Sequence, residues 1–320
     1  MLSRRNFRVK TMQALYAFFQ SGNDRLDLAE KELFRSIDKI HELYITQLSF
    51  FIAFHEFCKV RMEDAKLKFL PTEDDLEPNL RFIENTLLMQ LAENKDLGKW
   101  IDSYKISWAE ETELIRKLYK KTRESQDYID YMAAETMDYE GHKEFLLKLF
   151  KKHIAKSKDL SFIYEEKSIY WVDDLVMVNL MVLKTLLGFS ENTSAGDALP
   201  GLYGDKSAKE VEDDRKFIRD LFRKTILHSD EYEAMIKEKV QNWELERVAS
   251  MDVLLLKMAL AELTTFPSIP VKVSMDEYIE MSKNYSSPKS KVFINGVLDR
   301  LVAELKEGKK IAKKGRGLKE

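Results

Sequence analysis

Apolar residues recur at three- and four-residue spacing almost without interruption from Phe7 to Leu305, the period of a helix face. Little in the sequence can break that period: glycine and proline together number 17 of 320 residues, 11 Gly and 6 Pro. A sheet protein uses both at its many turns. The chain is therefore expected to be all-α, with long helices joined by few connections.

Composition narrows the class further. With 33% charged and 44% hydrophobic residues, the chain is too charged to be membrane-spanning and too apolar to be disordered. Its length suits about two domains. The longest apolar stretch, Asp174 to Phe189, is interrupted by Asn179 and Lys184 and falls short of the roughly 20 residues a bilayer span needs. The opening MLSRRNFRVK lacks the apolar run of a secretory signal. A lone cysteine, Cys58, leaves no intramolecular disulfide and points to a reducing, cytoplasmic setting.

Along the chain, a first helix carries Phe7, Met12, Leu15, Tyr16 and Phe19 and stops at Ser21-Gly22-Asn23-Asp24. A long helix or helix pair follows to about Phe69, an acidic break at 71–78, and a helix to about Lys95. Further helices are expected over 107–137, 142–157 and 171–188, then a turn-rich loop at 190–204. Five more follow near 206–228, 230–243, 248–265, 274–284 and 288–307; Ser274 and Glu277 read as a capping box, and Pro288 as a helix start. There is also an internal echo: 114–122 (LIRKLYKKT) resembles 217–225 (FIRDLFRKT), and 174–183 (DLVMVNLMVL) resembles 252–261 (DVLLLKMALA).

Charge is unevenly placed. Residues 1–10 carry +4 through Arg4, Arg5, Arg8 and Lys10, and residues 306–320 carry +5. The total is −3, so the remainder carries −12, and an acidic body with two basic ends suits an anionic partner. Catalytic chemistry is poorly supported. His55 and Cys58, one helical turn apart, are too few for a closed zinc site. No glycine pattern makes a phosphate cradle, and the pairs Asp173/Asp174 and Asp213/Asp214 read as helix-start charges. No enzyme activity, cofactor or metal is expected.

Two stretches at opposite ends carry more information. Arg4, Arg5 and Arg8 gather guanidinium groups at a helix start, able to bind phosphates bidentately and to stack on bases. Near the C-terminus, Ile294, Val297, Leu298, Leu301 and Leu305 form a core stripe with Phe293 at its margin, beside Lys289 and Lys291. By itself Phe293 reads either as core or as a platform for a single-stranded base.

Together these stretches resemble the NusB transcription antitermination factors. The likeness runs through 4–16 (RRNFRVKTMQALY), thinly through 217–225, and strongly from 243 to 305, in the words 252–263 (DVLLLKMALAEL), 269–283 (IPVKVSMDEYIEMSK) and 293–300 (FINGVLDR). The resemblance implies an all-α fold of two packed helical subdomains, here with an additional inserted helical region. The expected division is 1–23 for the basic helix, 24–205 for the insertion, 206–307 for the C-terminal core and 308–320 for a basic flexible tail. It implies binding of boxA-type ribosomal RNA leader sequences, jointly with the ribosomal protein NusE, and action on RNA polymerase with other Nus factors. By carry-over Arg4, Arg5 and Arg8 would contact phosphates, Phe293 would stack on a base with Lys291 and Asn295 nearby, and the helix at 252–263 lies near the region that meets the protein partner. No membrane is involved in this reading.

The chain departs from the family in being much longer, in placing Val292 where a Lys precedes the Phe, and in carrying Asp276-Glu277 where the family has an N-E pair. A helical interaction scaffold with weak or no RNA binding is the alternative. A fused RNA cytosine methyltransferase would need a glycine-rich cofactor loop and a nucleophilic Cys, and neither is visible.

Overall fold

The computed structural model describes residues 1–22, 24–240 and 248–318, all of it helix, turn and loop without a strand. The expectations for Asn23, for 241–243 and for 319–320 lie outside the described residues. Among the described residues, no helix is long and apolar enough to cross a membrane.

The chain forms two units. One comprises Leu2–Ile37 with Asp205–Glu320, the other Met1 with Asp38–Gly204. The chain passes between them inside α2 (Leu26–Lys66) and again after Gly204. The inserted region was expected from residue 24, but residues 24–37 belong with the two ends of the chain. The reason is packing: Glu30 accepts from Arg219 and Arg223, and Phe34 lies under the Arg215 guanidinium at 4.6 Å.

In the unit made from both ends, α1 (Arg4–Ser21) starts at a Ser3–Asn6 capping box and stops at Gly22, whose φ of 62° suits a residue without Cβ. The helices α11 (Ala208–Leu227), α12 (Ser229–Lys239), α14 (Val271–Tyr285) and α15 (Ser290–Glu307) pack with α1 around α13 (Ser250–Thr265). Apolar on every side, α13 is buried from Leu254 through Leu263. It is thus core.

Two expected details change. Ser274 is not a cap: α14 starts three residues earlier, at Val271, and Ser274 is buried inside it. The tail at 308–318 is tied down, with the Lys314 amide donating to the Pro267 carbonyl (2.9 Å) and Lys313 Nζ to that of Phe266 (3.0 Å).

In the other unit, the second half of α2 is the central rod, with Leu43, Tyr44, Ile45, Leu48, Phe50 and Phe51 buried. The unit also holds α3 (Glu73–Leu76), α4 (Thr86–Glu93), α5 (Lys95–Tyr104), α6 (Thr112–Arg123), α7 (Gln126–Ala133), α8 (Tyr139–Leu149), α9 (Lys158–Lys167) and α10 (Leu175–Gly188), of which α5, α6, α9 and α10 meet α2 through Tyr104, Tyr119, Tyr164 and Thr185. The expected helix over 107–137 is two, because Ser125 caps a new start at Gln126. That over 142–157 ends in a π turn, Phe150–Ile154. The helices α5 and α9, each started by its own cap (Asn94, Ser157), were not expected.

Candidate nucleic-acid interface

The basic segment opens α1, and the fold sorts its charges by depth. Arg8 is 3% exposed; its Nε and Nη2 donate to the two oxygens of Glu262, both at 2.7 Å. Glu262 is itself fully buried in α13 and also accepts from Ser274 Oγ (2.8 Å) and the Tyr278 hydroxyl (2.9 Å) of α14. Burial opposes the charge on Arg8, but the Glu262 carboxylate outweighs it and holds the guanidinium above its ordinary pKa. Burial, reinforced by the neighbouring Glu262 charge, pushes the Tyr278 hydroxyl well up. The expectation that Arg8 contacts phosphate is corrected: in this fold its fork is enclosed and already holds a carboxylate. Lys10 is buried as well.

Arg4 and Arg5 remain at the surface, with side chains 41% and 55% exposed. Arg5 donates to both oxygens of Glu277 in α14 (2.8 and 2.9 Å), and that pairing raises its pKa. The Arg4 Nε lies 3.4 Å from Asp214, which also receives Lys206, and its guanidinium sits 4.9 Å from the Phe217 ring centroid. Beside them opens a cleft of about 660 Å³ lined by Arg4, Arg5, Ile269, Pro270, Val273 and Glu277, with the largely buried Arg8 in its lining as well. The two motif regions, over 250 residues apart in sequence, thus meet here.

The second stretch is held by another buried acid. Asp252, at the start of α13, accepts from Ser286 Oγ (2.6 Å) and Ser290 Oγ (2.7 Å), which fixes the turn between α14 and α15. Lys289 of that turn and Lys291 and Asn295 of α15 are exposed to solvent, Asn295 donating to Asp299 at 3.2 Å. Phe293 is half-buried and lines a groove with Lys289, Val292, Gly296 and Arg300. Glu280 of α14 pairs with Lys283, which lowers its pKa.

Of the residues that organise this surface, Glu262, Asp252 and Tyr278 are not singled out by the sequence, and Glu277 is read there only as a capping-box acid and as part of the Asp276-Glu277 pair. A signal existed for the first two, as acids in an otherwise apolar helix, since a buried carboxylate requires donors. Among the described residues no cluster of His, Cys, Asp and Glu could hold a metal ion.

The NusB family model matches residues 178–303. The transcription antitermination protein NusB of Salinibacter ruber (strain DSM 13855 / M31) is 40% identical over 139 residues, 43% of this chain and 86% of that protein. The NusB protein of Myxococcus xanthus (strain DK1622) is 37% identical over 101 residues, 32% of this chain and 72% of its own length. That of Chloroherpeton thalassium (strain ATCC 35110 / GB-78) is 38% identical over 104 residues, 32% of this chain and 49% of its own length. No solved structure matches the chain.

Proposed function

The chain belongs to the NusB family, and on that premise we propose that it is a non-catalytic RNA-binding transcription antitermination factor. It binds boxA-type leader RNA together with the ribosomal protein NusE and acts through that complex on RNA polymerase. The observation that carries this reading is the meeting of the exposed Arg4 and Arg5 with α14 beside an open cleft.

Magnitudes divide the roles. The exposed Arg5–Glu277 pair is worth about 0–1 kcal/mol, so a phosphate can take the place of Glu277 at small cost. Breaking the buried Arg8–Glu262 pair from one side costs about 3–5 kcal/mol. Arg8 therefore stays in place and positions the first turn of α1, while Arg4, Arg5 and Lys291 meet phosphates. Phe293 stacks on a base at the rim of its groove, with Asn295 beside it.

The test is a titration with boxA-like RNA at several salt concentrations, with and without the ribosomal protein. Each of Arg4→Ala, Arg5→Ala and Lys291→Ala is expected to lower the salt slope by about 0.7. Phe293→Ala should lose about 1–3 kcal/mol of affinity and leave the slope alone. Unchanged affinity and slope in all four variants would remove the RNA site. A scaffold without RNA binding is the second reading, favoured by the carboxylate partner that each exposed N-terminal arginine already has. Capture of the ribosomal protein without RNA affinity would select it.

A further inference from the structure

Helix α10 has two apolar faces, and among the described residues only one of them is buried. Val178, Met181, Val182, Thr185 and Leu186 are buried, Thr185 hydrogen-bonding the Tyr44 hydroxyl at 2.7 Å. On the opposite side stand Val176, Leu180, Leu183 and Leu187, spaced four, three and four residues apart. Val176 is 76% exposed, Leu180 57% and Leu187 50%. Val172 and Ile169, themselves largely exposed, prolong the stripe toward the N-terminus. Together these residues present on the order of 500 Å² of contiguous apolar surface, the upper end of what a monomer ordinarily leaves in water.

Comparison with α13 sharpens the point. The words that open the two helices match in step, and the counterparts of Val176, Leu180 and Leu183 are Leu254, Met258 and Ala261. All three are buried, with α14 and α15 among the helices packed on α13. After α10 its own unit, which ends at Gly204, supplies no such helices, only the turn-rich connection.

We infer that this seam is a self-association surface, and that α10 of a second copy of this chain covers it in an antiparallel pair. The four-three-four spacing is that of a coiled-coil seam, in which side chains of one helix enter gaps on the other. Charge selects both partner and direction. The seam holds no carboxylate between Val176 and Leu187, and Lys184 is the single charged residue at its flank. A parallel pair would set Asp173 and Lys184 against their own copies. An antiparallel pair centred between Met181 and Val182 sets Lys184 beside the neutral Asn179 of the second copy. It packs Val176 on Leu187 of the second copy, and Leu180 on its Leu183. The apolar area and its rim approach the roughly 800 Å² per partner of a standard specific interface.

The experiment is sedimentation equilibrium of the full chain at concentrations up to about 100 µM, where a contact of this size is populated. The expected result is a doubled mass for the wild type and a single-chain mass for Val176→Glu and for Leu187→Lys. Melting by circular dichroism at dilutions where the wild type is dissociated should be unchanged, since neither side chain is buried. Mixing the two variants should restore the dimer, because residue 176 of one copy then meets its opposite charge at 187 of the other. A wild type that stays monomeric overturns the proposal, including the case in which another protein covers the seam. A dimer that survives Val176→Glu overturns it as well, and a mixture that stays monomeric overturns the antiparallel register.

Discussion

Arg8→Met tests the view that the deepest arginine of the basic segment is a structural post. The wild-type Glu262 carboxylate takes two hydrogen bonds from Arg8, one from Ser274 and one from Tyr278, in a site closed to water. Arg8→Met leaves a buried charge with two neutral donors, at an expected cost of about 3–5 kcal/mol. In a unit of this size each kcal/mol moves the melting temperature by about 2–4 °C, so that unit should melt roughly 6–20 °C lower. Adding Glu262→Gln removes the orphaned charge while keeping an acceptor for the two hydroxyls. At least about 2 kcal/mol should return, as expected for coupled neighbours in a double-mutant cycle. The assay is urea unfolding followed by circular dichroism, with the other unit as internal reference. The reasoning fails if Arg8→Met costs under about 1 kcal/mol, the range of an exposed pair. It fails equally if the second substitution adds its own loss.

Other expectations follow from the same packing. His41, His55, His142 and His153, all within Asp38–Gly204, are held below the ordinary histidine pKa mainly by burial. The unfolded chain then binds protons more readily than the folded one. That unit's stability should be full above about pH 6.5 and decline as pH falls below it; melts from pH 7.5 to 5.5 with no decline would contradict this. Burial raises the Cys58 thiol, so a thiol reagent should label it only at the rate of unfolding. Labelling on mixing with native protein would be the contrary result. Asp252→Ala strands two serine hydroxyls and loosens the α14–α15 turn, at about 1–3 kcal/mol. It should weaken RNA binding without touching RNA, and normal affinity at normal stability would detach that turn from the site.

The sequence by itself determined the helical class and most helix positions near both ends of the chain, because period and cap residues act within a few positions. It also determined the family, since the words at 4–16 and 252–300 are dense and ordered. It marked Arg4, Arg5 and Arg8 as one group. Only the tertiary structure separated them, since burial depends on what arrives from 250 residues away: Glu262 draws Arg8 into the core, while Glu277 and Asp214 meet Arg5 and Arg4 at the surface. The same reason hid the start of the inserted unit, which falls inside the continuous helix α2 and is marked by no turn residue. It hid the open face of α10 too. A helix apolar all round looks the same in sequence whether both faces are covered, as in α13, or only one.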